Sequence, residues 1–168
     1  MSIPWRLHIV RFLISFIPET RGFGLKRMLY RWSGIKIGSQ VKICSSVKFL
    51  GHGELVIGDN TWIGHETLIV LSSKVFIGKN VDIAPRVFIG TGSHKVESAG
   101  LRVAGPGLSE SISIGSGTWI CACAVIIPGI NIGQMALIAA GSVVISDVPK
   151  KTMFAGNPAV CKKKWDSE

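Results

Sequence analysis

The stretch GTGSHKVESAGLRVAGPG, residues 90 to 107, contains a side chain suited to proton transfer at a break in an otherwise regular chain. His94 is one of four histidines, and it stands where short aliphatic–glycine units stop recurring. An imidazole can take up or release a proton near neutral pH. Loops on rigid scaffolds often carry function, so the break is a candidate active site. The alternative is a surface histidine in a flexible loop.

The composition limits what kind of protein this is. A length of 168 residues favours one domain with a single core. No charge-free apolar run of about 18 residues occurs, so we expect no membrane-spanning helix, and the apolar N-terminal stretch lacks the cleavage site of a signal peptide. The four cysteines show no CxxC spacing, which argues against a zinc site or a disulfide framework. Free thiols fit the cytoplasm.

The net charge of +9 is concentrated at the two ends of the chain. Basic ends indicate an anionic partner, either a phosphorylated cofactor, an anionic membrane or nucleic acid. We expect no nucleic-acid binding, because the sequence contains no recognised DNA- or RNA-binding module.

Apolar residues recur at every sixth position in two blocks separated by the break, with one step of eight between Ile69 and Ile77 in the first block. The first block is Ile57, Ile63, Ile69, Ile77, Ile83 and Ile89, and the second is Ile114, Ile120, Ile126, Ile132, Ile138 and Val144. A period of six matches neither a helix nor an ordinary strand. It predicts a three-sided solenoid in which one aliphatic residue per side points inward and stacks on its equivalents in neighbouring coils.

The run IGSGTWICACAVIIPGINIGQMALIAAGSVVISDVPKKTMFAGNPAVCKKK, residues 114 to 164, resembles the closing signature of the hexapeptide-repeat acyltransferases. The resemblance covers residues 35–164 and implies a left-handed parallel β-helix with one protruding loop, 91–111. It also implies a homotrimer that uses acetyl-CoA as its acyl donor, without a metal. Residues 1–34 are expected to form a helical segment, and 165–168 a tail.

Within this family the break is most similar to the sugar O-acetyltransferases of the maltose, galactoside, nodulation and colanic-acid types. The resemblance implies that His94 is the general base. Glu97 and Asp82 are candidates to orient its imidazole, alongside a backbone carbonyl, or to contact the substrate. Arg102 matches an arginine that this loop often carries, and it is a candidate substrate ligand or a solvated loop residue.

The family's Trp-Ile-Gly motif places Trp119 near the acyl-transfer site, as a contact for substrate and cofactor or as a packing residue. The resemblance implies a slot for pantetheine lined by small residues, for which the candidates are Ala122, Ala140, Gly141 and Ser142. The chain departs from the family where Ile145-Ser146 replaces a Thr-Lys pair, Val160 replaces a basic residue and Cys121 replaces a glycine. Lys162, Lys163 or Lys150 would then contact the cofactor's phosphates.

Residues 4 to 32 are predicted to form one or two helices. On a helical wheel Trp5, Ile9, Phe12, Leu13 and Phe16 share one face. The segment either covers the open end of the solenoid or lies in the interface of an anionic membrane, which would place the protein at the inner face of the cell membrane.

The sequence as a whole predicts an acetyl-CoA-dependent O-acetyltransferase that acts on a sugar hydroxyl in surface polysaccharide or lipopolysaccharide synthesis. The alternatives are an enzyme similar to serine O-acetyltransferases and an inactive scaffold with the same fold.

Overall fold

A computed structural model describes residues 4–165 of the chain. Residues 1–3 of the predicted N-terminal segment and residues 166–168 of the predicted tail lie outside the described residues. Within 4–165 the chain forms two helices, α1 (Pro4–Ile14) and α2 (Phe23–Trp32), followed by a solenoid of short strands. Neither of these helices is long and apolar enough to cross a membrane.

The strands before the break build three coils, each with one strand per side. The first coil has β1 (Lys36–Ile37), β2 (Lys42–Ile43) and β3 (Lys48–Gly51), and the second has β4 (Leu55–Ile57), β5 (Trp62–Ile63) and β6 (Leu68–Leu71). The third has β7 (Val75–Ile77), β8 (Asp82–Ile83) and β9 (Phe88–Gly90). Equivalent strands pair in parallel, with β1-β4-β7 on one side, β2-β5-β8 on the next and β3-β6-β9 on the last.

The chain then leaves the solenoid as an antiparallel hairpin, β10 (Gly92–Val96) and β11 (Ala104–Ser109). It returns with β12 (Ile112–Ile114), β13 (Trp119–Ile120) and β14 (Val125–Ile126), and continues with β15 (Asn131–Ile132), β16 (Leu137–Ile138) and β17 (Val143–Val144). A terminal hairpin, β18 (Thr152–Gly156) and β19 (Ala159–Lys164), extends the sheet that contains β16. Because β12 pairs directly with β7, the hairpin does not interrupt the stack of coils.

The predicted six-residue stacks form the core. Every member of the two predicted blocks is at most 2% exposed, so the inward positions were predicted correctly. On one side Ile83, Ile120 and Ile138 lie in register on neighbouring strands. Each coil buries its inward side chains against the coils above and below it. The first and last coils lack one of these neighbours, so the ends of such a solenoid need a covering segment.

The two helices cover the end of the solenoid at the first coil. Strands β1 and β2 are sheet edges, and α2 supplies cations to their free carbonyl groups. Lys26 Nζ donates hydrogen bonds to the carbonyls of Pro18 at 3.1 Å, Glu19 at 2.7 Å and Ile43 at 3.4 Å. Further bonds run from Arg27 to the Val41 carbonyl and from Arg31 to the carbonyls of Ile37 and Gly38. These basic residues therefore have a structural role that their charge alone did not predict.

The face of α1 that packs on the solenoid differs from the face that the helical wheel emphasised. Leu7, Val10 and Ile14 are buried at 5%, 0% and 1% exposure. The opposite face remains open to solvent. Its residues are Trp5, Ile9, Phe12 and Leu13, and Phe16 continues it just after the helix ends. The wheel detected an apolar face but could not show that a second one, also apolar, contacts the core.

Candidate functional site

The base of the hairpin is fixed by one buried threonine. The Thr91 hydroxyl accepts hydrogen bonds from the backbone amides of Ser72 at 2.8 Å and Ser73 at 2.9 Å, and donates one to the carbonyl of Val70 at 3.1 Å. The Thr91 carbonyl accepts a bond from the amide of Glu110 at 2.9 Å. The two ends of the excursion are thus tied to each other and, through Thr91, to the end of β6 and the segment that follows it. Sequence reasoning did not single out Thr91, although it stands between the two glycines of GTGSH.

His94 lies on β10, is exposed and is held by the opposite strand. Its Nδ1 lies 2.8 Å from the carbonyl oxygen of Gly105. A carbonyl oxygen only accepts hydrogen bonds, so Nδ1 carries the proton and donates it. In the neutral imidazole Nε2 then keeps a lone pair, on the side of the ring away from this contact, and no described residue bonds to it. The imidazole therefore has a defined orientation and a basic nitrogen available to a reactant.

Glu97 does not bond to the imidazole; it contacts the strand opposite His94. The pairing of β10 with β11 shifts between His94 and Val96, which leaves Lys95 as an irregularity between them. After the shift, the Glu97 amide donates to the carbonyl of Val103 at 3.0 Å, and the Glu97 side chain lies against Gly105. Of the three candidates to orient the imidazole, the backbone carbonyl is the group that bonds to it among the described residues.

Arg102 lies exposed at the tip of the hairpin, between the two strands. Because it is exposed, its side chain is accessible to an incoming molecule.

Asp82 and Trp119 lie side by side on the sheet that begins with β2, whereas His94 lies on the hairpin. They are direct partners on β8 and β13, on the outer surface of the solenoid. The same outward row continues through Leu137 and Met153 to Lys163. Three strand spacings separate Trp119 from Lys163, which is roughly 14 Å. Lys162 is also exposed on β19.

A cavity of about 310 Å³ lies beside the exposed indole of Trp119. Its walls include Met135, Leu137, Lys151 and Trp165. Sequence reasoning missed Lys151 and Trp165, because nothing in their local pattern shows that they meet Trp119. A cavity lined by an ammonium group and two indoles suits a ligand that combines a flat ring with an anionic group.

The predicted small residues stack at a corner that follows β13 and β16. The Gly141 amide donates to the carbonyl of Ala122 at 2.9 Å, and Ala140 is exposed next to it. Ser142 is buried, and its hydroxyl accepts a bond from the amide of Gly156 at 3.2 Å. Ala122, Ala140 and Gly141 thus leave a shallow surface, whereas Ser142 holds the corner in place.

A cluster of possible metal ligands lies away from these groups, at the junction of the helices with the solenoid. Ligand atoms of Glu19, Cys44 and His65 lie within 4.8 Å of one another. Glu19 already accepts bonds from the Ser46 amide and hydroxyl. Burial raises the pKa of the Cys44 thiol, which disfavours the thiolate that binds metals, and the Lys26 ammonium is close by. A protonated thiol and a neighbouring ammonium group disfavour a bound cation. The cluster instead holds the segment after α1 against the first coil, through the bonds of Glu19 to Ser46.

The site residues therefore form three groups within one chain. His94, Glu97 and Arg102 belong to the hairpin, Asp82, Trp119 and the lysines to one outer sheet, and the small residues to a corner. Among the described residues, no hydrogen bond joins one group to another.

Comparisons with known proteins agree with the architecture. Two relatives carry provisional names. Acetyltransferase YJL218W of Saccharomyces cerevisiae is 44% identical over 108 residues, which is 64% of this chain and 54% of the relative. Colanic acid biosynthesis acetyltransferase WcaF of Escherichia coli is 30% identical over 141 residues, 80% of this chain and 75% of the relative. No family model matches the chain.

Solved structures extend the similarity to nearly the whole chain. A galactoside acetyltransferase in complex with coenzyme A superposes with a TM-score of 0.84 at 27% identity, over 97% of this chain and 80% of the other. A hexapeptide-repeat-containing acetyltransferase from Vibrio cholerae, VCA0836, gives 0.80 at 25% identity, over 98% and 91%. These neighbours are left-handed β-helices, which confirms the predicted fold class. Together with the match to WcaF, they show that this chain belongs to the hexapeptide-repeat acetyltransferase family.

Proposed function

We propose that the protein transfers an acetyl group from acetyl-CoA to the hydroxyl group of a sugar, with His94 as the general base. The observation that carries the proposal is the hydrogen bond from Nδ1 of His94 to the carbonyl of Gly105. It fixes the tautomer in which Nε2 is basic and points the ring along a defined direction.

The proposed reaction has two steps: the acceptor oxygen adds to the thioester carbonyl, and the coenzyme A thiol is then eliminated. Nε2 of His94 removes the proton from the acceptor hydroxyl as that oxygen attacks the thioester carbonyl carbon. The carbon–sulfur bond then breaks, and the coenzyme A sulfur takes the proton from the imidazolium. The products are an acetyl ester and free coenzyme A, and the histidine returns to its starting state.

The choice of donor and acceptor is supported by the relatives. One structural neighbour was solved with coenzyme A and is named for galactoside, and WcaF is named for colanic acid biosynthesis. These names favour acetyl-CoA as donor and a sugar of a surface polysaccharide or lipopolysaccharide as acceptor. Since the chain spans 54% and 75% of the two relatives described above, the activity is a proposal for this chain.

The donor site is proposed to form between subunits. The hairpin and the outer sheet with Trp119 are separate surfaces of one chain, so a homotrimer would bring the hairpin of one subunit against the outer sheet or corner of its neighbour. Lys162 and Lys163 would then face the phosphates of the donor, with Ala122, Ala140 and Gly141 leaving room for its thin pantetheine arm. We place this assembly in the cytoplasm.

The test uses the full chain, acetyl-CoA and a panel of sugars together with serine, with release of free thiol as the readout. We expect turnover with a sugar, and a drop of about 10²- to 10⁴-fold in kcat for His94→Ala with little change in KM. The matched control is His52→Ala, which changes an exposed histidine between β3 and β4 and should keep full activity.

Three results would contradict the proposal. Turnover with serine alone would favour the serine O-acetyltransferase alternative. Absence of thiol release with every acceptor would favour the scaffold. Unchanged turnover in His94→Ala, with the fold confirmed by circular dichroism, would remove the assigned base.

A further inference from the structure

Helix α1 has two apolar faces, and the solenoid covers only one of them. Leu7, Val10 and Ile14 point into the core. On the opposite side Phe12 and Phe16 are 65% and 73% exposed, and their rings contact each other edge to face at 5.2 Å. Covering the end of the solenoid requires only the first face. The second face therefore needs a separate explanation.

The exposed surface continues from α1 onto α2. A groove of about 370 Å³ lies between the helices, and the residues that line it are Ile9, Leu13, Met28, Leu29 and Trp32. At one end the indoles of Trp5 and Trp32 meet edge to face at 6.0 Å, and the Arg6 guanidinium lies over both rings. We call the exposed faces of α1 and α2, together with Phe16 just after α1, the cap surface. Contiguous apolar surface of this kind marks an interaction site.

A cationic cavity of about 450 Å³ adjoins the cap surface, between α1 and the first coil. Arg11, His8 and Lys48 line it together with serine hydroxyls, and none of its described lining residues is acidic. Phe12 belongs both to the cavity wall and to the cap surface.

Tyr30 gives this cavity an unused hydrogen-bond donor. The side chain lines the cavity and is 0% exposed, yet its hydroxyl has no partner among the described residues. Arg11 lines the same cavity. Burial raises the pKa of the Tyr30 hydroxyl, and the positive charge of Arg11 partly offsets that rise. Buried hydroxyl groups are rarely left unpaired. An oxyanion between Arg11, Lys48 and Tyr30 would complete this set of donors.

The charge of the chain is concentrated at the same end. Residues 1–48 hold nine of the 19 lysines and arginines but only one of the ten acidic residues. This segment therefore contributes +8 of the net +9. Hydrogen bonds from Arg27 and Arg31 to neutral carbonyls leave their charge in place.

We propose that the cap surface docks on an anionic phospholipid bilayer, with a lipid phosphate bound in the cavity of Arg11, Lys48 and Tyr30. The aromatic and aliphatic side chains of the cap surface enter the boundary between headgroups and acyl chains, where amphipathic helices with basic flanks bind. The surrounding arginines and lysines lie against the negative headgroups. A second copy of the chain or an apolar peptide would cover the cap surface but would leave the cationic cavity unused. The inference does not rest on acetyl transfer, because binding is measured without turnover.

Flotation with vesicles tests this directly. The full chain should float with phosphatidylcholine vesicles that contain about 30% phosphatidylglycerol, and bind at least about tenfold more weakly to pure phosphatidylcholine. Two variants separate the contributions. Phe12→Ser with Phe16→Ser should weaken binding to the anionic vesicles by about tenfold or more, and Arg11→Gln with Lys48→Gln should remove most of the preference for the anionic lipid.

Matched controls change the same residue types elsewhere. Phe76→Ser alters an exposed phenylalanine on the side of the solenoid, and Lys164→Gln an exposed lysine at its far end. Both should bind like the unaltered chain. A second measurement uses the unaltered chain: brominated lipid should quench its tryptophan fluorescence. The conservative variant Trp5→Phe should lose part of that quenching.

Several outcomes would overturn the proposal. These are equal binding to both kinds of vesicle, unchanged binding by both double variants, or equal losses in the controls. Light scattering adds one more. If Phe12→Ser with Phe16→Ser changes the mass of the assembly, the cap surface is a contact between subunits and does not face a membrane.

Discussion

The side chain of Glu97 lies so close to Gly105 that a β-carbon at position 105 would meet Glu97 Oε2 and Cβ at 2.9 Å. The same glycine presents the carbonyl that holds His94. The orientation of the proposed base therefore depends on the absence of a side chain on the opposite strand. This dependence leads to a sharp test.

Gly105→Ala should lower acetyl transfer by roughly 10- to 100-fold, because Glu97 and the carbonyl must move apart and displace the imidazole. The matched control is Gly107→Ala, on the same strand, where a β-carbon would meet nothing within 4 Å. Steady-state kinetics of both variants check the prediction. Equal activities would show that the contact at residue 105 does not position His94.

Thr91→Val should destabilise the base of the hairpin, since it keeps the shape of the side chain but leaves the amides of Ser72 and Ser73 without their acceptor. Each unpaired buried donor costs about 1–3 kcal/mol. We expect a lower free energy of unfolding in urea and lower activity. Thr91→Ser retains the hydroxyl and should restore most of both quantities, and failure of this rescue would argue against the hydroxyl's role.

Ile120→Ala should lower the free energy of unfolding by about 2–5 kcal/mol, because it opens a cavity in the middle of an inward stack. Ile120 is 0% exposed and lies between Ile83 and Ile138 on neighbouring strands. The control is Lys42→Ala, an outward-facing residue of the same sheet, for which we expect a change within about 0.5 kcal/mol. Chemical denaturation measures both.

Asp59 should make stability depend on acid. A hydrogen bond from Lys79 at 2.9 Å and two from Ser39 lower the pKa of Asp59 from 3.8 to about 2. A carboxyl group whose pKa is lower in the folded than in the unfolded state stabilises the fold at pH values above its pKa in the unfolded state. That contribution is fully present above pH 3.8 and is lost as the pH falls towards 2.

The measurement is the melting temperature of the unaltered chain and of Asp59→Asn across this range of pH. The unaltered chain should melt higher at pH 5, and the difference should shrink steadily towards pH 2 because protonated Asp59 resembles asparagine. Lys79→Met, which removes the main partner, should reduce the pH dependence while Asp59 is retained. A constant difference between the two curves would contradict the assignment.

The coil architecture was predictable because it rests on a local rule repeated many times. One inward aliphatic residue per side, as in the series from Ile114 to Val144, fixes the strand positions and the stacking together. The hydrogen bond of His94 could not be predicted in the same way. It joins residues eleven positions apart and depends on a register shift at Lys95. No residue pattern marks such a shift.

The N-terminal helices show a second limit of sequence reasoning. A helical wheel identifies the apolar residues of α1 but does not tell which of two apolar faces meets the core. The burial of Lys26 was equally hidden, because a lysine is expected at the surface. Its burial depends on carbonyl groups of Pro18, Glu19 and Ile43, which come together only when the first coil and the helices are in place.

The direct pairing of β7 with β12 makes the hairpin a module that can be exchanged. Ile112 continues the ladder from Val75 as if residues 91–111 were absent, and the threonine at the base closes the gap. Insertions, deletions or a transplanted hairpin from another protein would then leave the coil ladder unbroken. Selection could thus alter the choice of acceptor while leaving the scaffold untouched, and protein engineers could use the same junction to redirect the enzyme.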